Sequence, residues 1–104
     1  MSESLTSRSK KYLEAQGYTV EIVEHYNYFT KRRHDLFGIF DLLAIRPNET
    51  LAVQVTSRGN MSSRRNKMAD SDKIGEVRDA NWRIELHGWD KFKGKYRIKV
   101  EDLS

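Results

Sequence analysis

A carboxylate interrupts the most apolar stretch of this chain. In Ile39-Phe40-Asp41-Leu42-Leu43-Ala44-Ile45 every residue but Asp41 is hydrophobic, the pattern of a strand buried on both faces of a sheet. A carboxylate taken out of water loses several kcal/mol of hydration unless a cation, a metal ion or a hydrogen-bond donor takes the place of the water. After the turn residues Arg46-Pro47-Asn48-Glu49-Thr50, the run Leu51-Ala52-Val53-Gln54-Val55-Thr56 resumes the apolar pattern, so the pair reads as an antiparallel hairpin. Gln54 and Thr56 are two apart and share a face. With Arg46 paired to Glu49, Asp41 lies opposite Gln54; a shift of two residues sets it opposite Thr56, and only an odd slip separates the three polar groups. One shared polar site accounts for all three. The plainer alternative is that Asp41 turns or caps a short strand end while Gln54 and Thr56 bond backbone or water.

Holding such a hairpin requires a sheet with covered faces, and the rest of the chain supplies the pieces. Residues 4–16 place Leu5, Tyr12 and Leu13 at helical spacing and close on Gly17, which reads as a helix with a C-terminal glycine. Residues 18–24 alternate as a strand whose far end carries Glu24 and His25. Residues 25–34 form an aromatic and basic connection. A helix capped by Ser62 or Ser63 runs through Arg64, Arg65, Lys67 and Met68, and a second presents Ile74, Val77 and Ala80 inward. Trp82, Ile84 and Leu86 alternate with Arg83, Glu85 and His87 in one strand, and Tyr96, Ile98 and Val100 with Arg97, Lys99 and Glu101 in a last one. The expected order is αβββααββ, a mixed α/β or α+β fold with a central mixed sheet and flanking helices.

The segment from Asp35 through Gly38 and Asp41 to Ile45, with Leu51-Ala52-Val53-Gln54-Val55-Thr56-Ser57, resembles the acidic hairpin of the PD-(D/E)XK nuclease superfamily, in its small Holliday-junction-resolvase-like and phage-encoded branches. That hairpin has a G-x-x-D-L strand followed by a V-(E/Q)-V-K strand, and the leading helix and Gly17-Tyr18-Thr19-Val20 match in order. The resemblance covers most of the chain. It implies a restriction-endonuclease-like core and a metal-dependent endonuclease that hydrolyses phosphodiester bonds in branched or otherwise structured DNA. It also implies Mg²⁺ or Mn²⁺ held by Asp41 and Gln54, and a homodimer. Thr56 stands where the family has its catalytic Lys. Either Lys67 or Arg64, three apart on one helical face, replaces that cation, or the domain is a nuclease-fold DNA-binding module that no longer cuts. The family's upstream Glu lies on the first helix, where Glu3 and Glu14 do not match in spacing. Asp35, or else Glu24, would supply the missing charge, since one Asp and one Gln hold a divalent ion weakly.

The 104 residues carry 19 Lys+Arg against 15 Asp+Glu, a net charge of +4, which permits a polyanionic partner without requiring one. The distribution is more telling than the total. Lys31, Arg32, Arg33 and His34 precede the hairpin, and Arg58, Arg64, Arg65 and Lys67 follow it, so both clusters would grip phosphates near Asp41, with Tyr26, Tyr28 and Phe29 available to bases. The lysines around Gly94 read as a solvated hairpin, and Trp82 and Trp89 as packing. The absence of cysteine excludes disulfides and thiolate metal sites. His25, His34 and His87 lack zinc spacing. No run spans a bilayer and no signal peptide is evident, so one cytoplasmic domain over residues 1–104 is expected, with no membrane partner. A protein-interaction domain is the remaining class, and it would leave the basic clusters without a common face.

Overall fold

The computed structural model describes residues 4–104. Ser4 caps α1 (Leu5–Glu14), its side chain accepting from the Ser7 amide at 3.1 Å. The helix ends where Gly17 takes φ +92°, a value that favours glycine, and the chain turns directly into β1 (Thr19–Ile22). A small ribbon follows, β2 (His25–Asn27) against β3 (Arg32–His34). Then come β4 (Leu42–Arg46), β5 (Glu49–Ser57), a 3₁₀ turn, α2 (Met61–Ala69), α3 (Ile74–Asp79), β6 (Arg83–Phe92) and β7 (Lys95–Asp102). The five long strands form one sheet in the order β1-β4-β5-β6-β7. Its pairs are antiparallel except for β5 beside β6, which run parallel across the helical crossover. The fold is mixed α+β.

Three expectations about the elements and their bounds need correction. Residues 25–34 are a β-ribbon and not a plain connection, so the order is αβββββααββ. The reason is Asn27, whose side-chain oxygen accepts from the amides of Phe29 and Thr30 and closes a turn that lets the two arms pair. The apolar run of residues 39–45 becomes strand only from Leu42, because Phe37 and Gly38 take φ +56° and +75° in succession and fold residues 35–40 into a tight turn. α2 begins at Met61 on Asn60, which places Ser62 and Ser63 inside the helix and not at its cap.

Both faces of the sheet are covered. Leu13 of α1 packs with Val20, Leu42, Ala44, Leu51, Val53 and Trp89 on one side. Ile74 and Val77 of α3 and Met61 and Met68 of α2 pack with Ala52, Ile84 and Leu86 on the other. Alternation along β5 therefore sends Val53 and Val55 towards α1, and Ala52 and Gln54 towards α2. Double coverage also buries His87, which is 0% exposed beneath α1. Ala80, expected inward, is exposed. Among the described residues no helix is long and apolar enough to cross a membrane.

Candidate metal and phosphate site

The register of the central hairpin sets the site. Arg46 pairs with Glu49 and Leu42 with Val53, and continuing that register places Asp41 opposite Gln54 on the α2 face. Asp41 itself lies at a bend immediately before β4, and it is pinned there from both sides. Its amide donates to the Val53 carbonyl at 2.8 Å, and its carbonyl accepts from the Val23 amide at 2.9 Å. The side chain then stands in for a strand backbone: Asp41 Oδ2 accepts from the Val55 amide at 2.8 Å and from Gln54 Nε2 at 2.9 Å. Gln54 Nε2 also donates to the Val55 carbonyl at 3.3 Å. Both amide hydrogens are thus engaged, and Gln54 Oε1 is left as the acceptor for a ligand.

Two further carboxylates converge on Asp41. Oxygens of Glu24, Asp35 and Asp41 all lie within 4.8 Å of one another. The ribbon brings them together: Glu24 precedes β2, Asp35 follows β3, and the pairing of His25 with His34 closes the neck between them. Asp41 is 4% exposed. Burial, reinforced by Glu24 and Asp35 and opposed by the Val55 amide, raises its pKa to about 7. Burial also raises Asp35, helped by Glu24, while Lys67, Arg33 and Arg64 pull it back. Three acids this close cannot all remain charged without a compensating cation.

Asp35 Oδ1 is buried and has no hydrogen-bond partner among the described residues. An orphaned carboxylate oxygen in an all-oxygen donor set is what a hard divalent cation satisfies. The residues fit such an ion. The cleft they line has a volume of about 180 Å³ and is completed by Thr6 of α1, Arg33 of β3, Val55 and Arg64 of α2. Arg33 Nη1 stands 3.8 Å from Glu24.

The other expected site residues divide clearly. Arg64 lines the cleft; Lys67, one turn on, is exposed and acts on Asp35 through its charge. Thr56 is buried opposite Gly88 and does not line the cleft. Arg65 turns away to pair with Glu101 of β7, and Arg58 stands 3.7 Å from Asp90 of β6. Lys31 and Arg32 are exposed on the ribbon. Glu14 is exposed on α1 and does not join the cluster, and Glu3 lies outside the described residues. Thr6 and the Val55 amide were not anticipated from the sequence. A main-chain donor carries no residue-type signal, and Thr6 reaches the cleft only because α1 crosses the sheet beside it.

A second polar chain lies under α1. Trp89 Nε1 donates to Ser9 Oγ at 2.8 Å, Ser9 Oγ meets His87 Nδ1 at 3.0 Å, and His87 Nε2 meets Glu85 Oε1 at 3.0 Å. The order serine, histidine, carboxylate is that of a nucleophile relay, yet Ser9 and His87 are both fully buried. With no access for a substrate, the chain serves packing. No protein-family model matches the sequence, and no curated protein matches it.

Proposed function

We propose that this protein is a divalent-metal-dependent endonuclease that hydrolyses phosphodiester bonds in DNA, with a restriction-endonuclease-like core. The observation that carries the reading is the convergence of Glu24, Asp35 and Asp41 on one cleft that also holds Arg33 and Arg64. The sheet supports it too, since an antiparallel hairpin is joined through a helical crossover to a parallel strand, with the acidic group at the mouth of the hairpin.

Glu24, Asp35, Asp41 and Gln54 Oε1 would hold the Mg²⁺ or Mn²⁺, which when bound supplies Lewis-acid polarisation of phosphate and activation of water. The protein's own groups do the rest. Arg64 and Arg33 offer planar donors to phosphate oxygens and balance the charge that grows as the bond to phosphorus breaks. Lys67 adds positive potential from the rim. The donors on Asp41 fix its carboxylate so that one oxygen remains for a ligand. Arg64 therefore takes the part that Thr56 cannot. The runner-up reading, a DNA-binding module without catalysis, is favoured by one observation: among the described residues no lysine lines the cleft.

Incubation with linear, single-stranded and four-way-junction DNA, with Mg²⁺ or Mn²⁺ and beside Asp41→Ala, separates these readings. Cleavage that needs both the metal and Asp41 supports the nuclease. Salt-dependent binding without cleavage supports the module. Neither binding nor cleavage leaves a protein-interaction domain. Paired nicks on opposed strands of the junction, produced by a species of twice the chain mass, would identify the homodimer as the acting unit.

A further inference from the structure

The ribbon between Glu24 and Asp35 is a built element whose tip serves nothing in the fold. Its arms pair His25 with His34, Tyr26 with Arg33 and Asn27 with Arg32, and the Asn27 side chain fixes the turn. Yet Phe29 is 100% exposed and Tyr28 83% exposed, and Tyr26 meets Tyr28 edge-on at 5.0 Å. Large aromatic groups held out in water at a defined tip mark a contact surface. The returning arm carries Lys31, Arg32 and Arg33, and residues 25–34 include no acid. The charge selects an anionic occupant, and the aromatic faces select one with flat apolar groups.

We propose that the β2–β3 ribbon is a base-stacking wedge, and that the site at its root acts on DNA with unpaired or unstacked bases. This rests on the nuclease reading and assigns that site its substrate class. Tyr28 and Phe29 stack on bases freed from the helix, while Arg32 and Lys31 hold the adjoining phosphates. Arg33 ties the two functions together, because it belongs to the ribbon and also lines the cleft. Four or five residues of extended chain separate the tip from Glu24, a reach of about 13–17 Å at strand rise. At about 3.4 Å per base step, the unpaired bases stand about four or five nucleotides from the cleaved bond. An anionic membrane would also accept aromatic and basic groups, but it would bring a negative surface against the three carboxylates at the ribbon's root.

Binding is measured by fluorescence anisotropy in chelator, so that cleavage is not required. The probes are a paired duplex, the same duplex with a short central bulge, and vesicles of phosphatidylcholine and phosphatidylserine. The wild type is expected to bind the bulged duplex about tenfold more tightly than the paired one. Y28S/F29S brings the ratio near one, and F29W retains it. A ratio of one in the wild type, a ratio that survives Y28S/F29S, or binding to vesicles in place of DNA overturns the wedge. Cleavage measured in parallel keeps the two claims apart. Cleavage with a ratio indifferent to Tyr28 and Phe29 removes the wedge and leaves the nuclease, whereas a ratio that depends on them without cleavage removes the nuclease and leaves the wedge.

Discussion

At the scale of single residues, the account turns on Asp41. Its carboxyl keeps a proton up to about pH 7 in the folded protein, against an ordinary value of 3.8. The folded state therefore binds more protons than the unfolded chain between those values, and stability rises as pH falls through this window. The metal-free protein is expected to have a higher Tm near pH 5.5 than near pH 8. Asp41→Asn should flatten that slope, and an unchanged slope in thermal melts of the variant would count against the assignment. The carboxylates held low by cations or hydrogen bonds, Glu49, Asp90, Glu101 and Asp102, work in the opposite sense and weaken the fold only at more acidic pH. Arg64→Ala should cut the rate of metal-dependent cleavage about 10²-fold with Arg64→Lys recovering part of it, measured at saturating DNA. Asp41 and Gln54 were legible in the sequence because a polar group in a doubly apolar strand is conspicuous. Glu24 and Asp35 were ambiguous, since their meeting depends on a ribbon closing between them, and spacing along the chain does not encode that closure.

Among the elements, α2 is the one whose seat decides the chemistry. Its first residue, Met61, rests on Gly88 of β6, where an added Cβ would overlap the Met61 sulfur and Cγ. That close approach sets the start of the helix that carries Arg64. Gly88→Ala should destabilise by about 1–3 kcal/mol through overpacking and should also lower cleavage. A denaturant midpoint and rate both equal to wild type would show that the seat is not needed. The long strands were readable from alternation or from unbroken apolar runs, and the hairpin from its Pro47-Asn48 turn, where Asn48 takes φ +61°; of the two registers the sequence left open, the structure adopts the one that pairs Arg46 with Glu49. The ribbon was not read as strand because each arm is only three residues long and, Tyr26 apart, carries His, Asn and Arg with no apolar alternation; the Asx turn at Asn27 was the local signal that could have found it. The delayed start of β4 was hidden by apolar residues that continue through the Phe37-Gly38 turn.

For the whole molecule, coverage of both sheet faces explains what periodicity could not. His87 alternates with Leu86 like a solvent-facing residue, yet α1 buries it against Ser9. Whether a strand's second face meets water or another layer is decided by tertiary packing, which alternation does not report. Charge behaves similarly. Arg58 and Arg65 look like DNA contacts in sequence, but they are engaged by Asp90 and Glu101 on the β6–β7 side, and the basic surface at the site reduces to the ribbon, Arg64 and Lys67. Arg32→Ala should accordingly lower the slope of log affinity against log salt by about 1, and Arg65→Ala should leave it unaltered, in titrations on one duplex across several salt concentrations.

The central claim is that Glu24, Asp35 and Asp41 form one divalent-metal site, and the most direct measurement is a Mn²⁺ titration followed by electron paramagnetic resonance near pH 8. The account predicts loss of the free-ion signal to saturation at about one equivalent, with Glu24→Gln, Asp35→Asn and Asp41→Asn each weakening binding about tenfold or more. Equal binding by the wild type and all three variants, or no binding by the wild type, would contradict it.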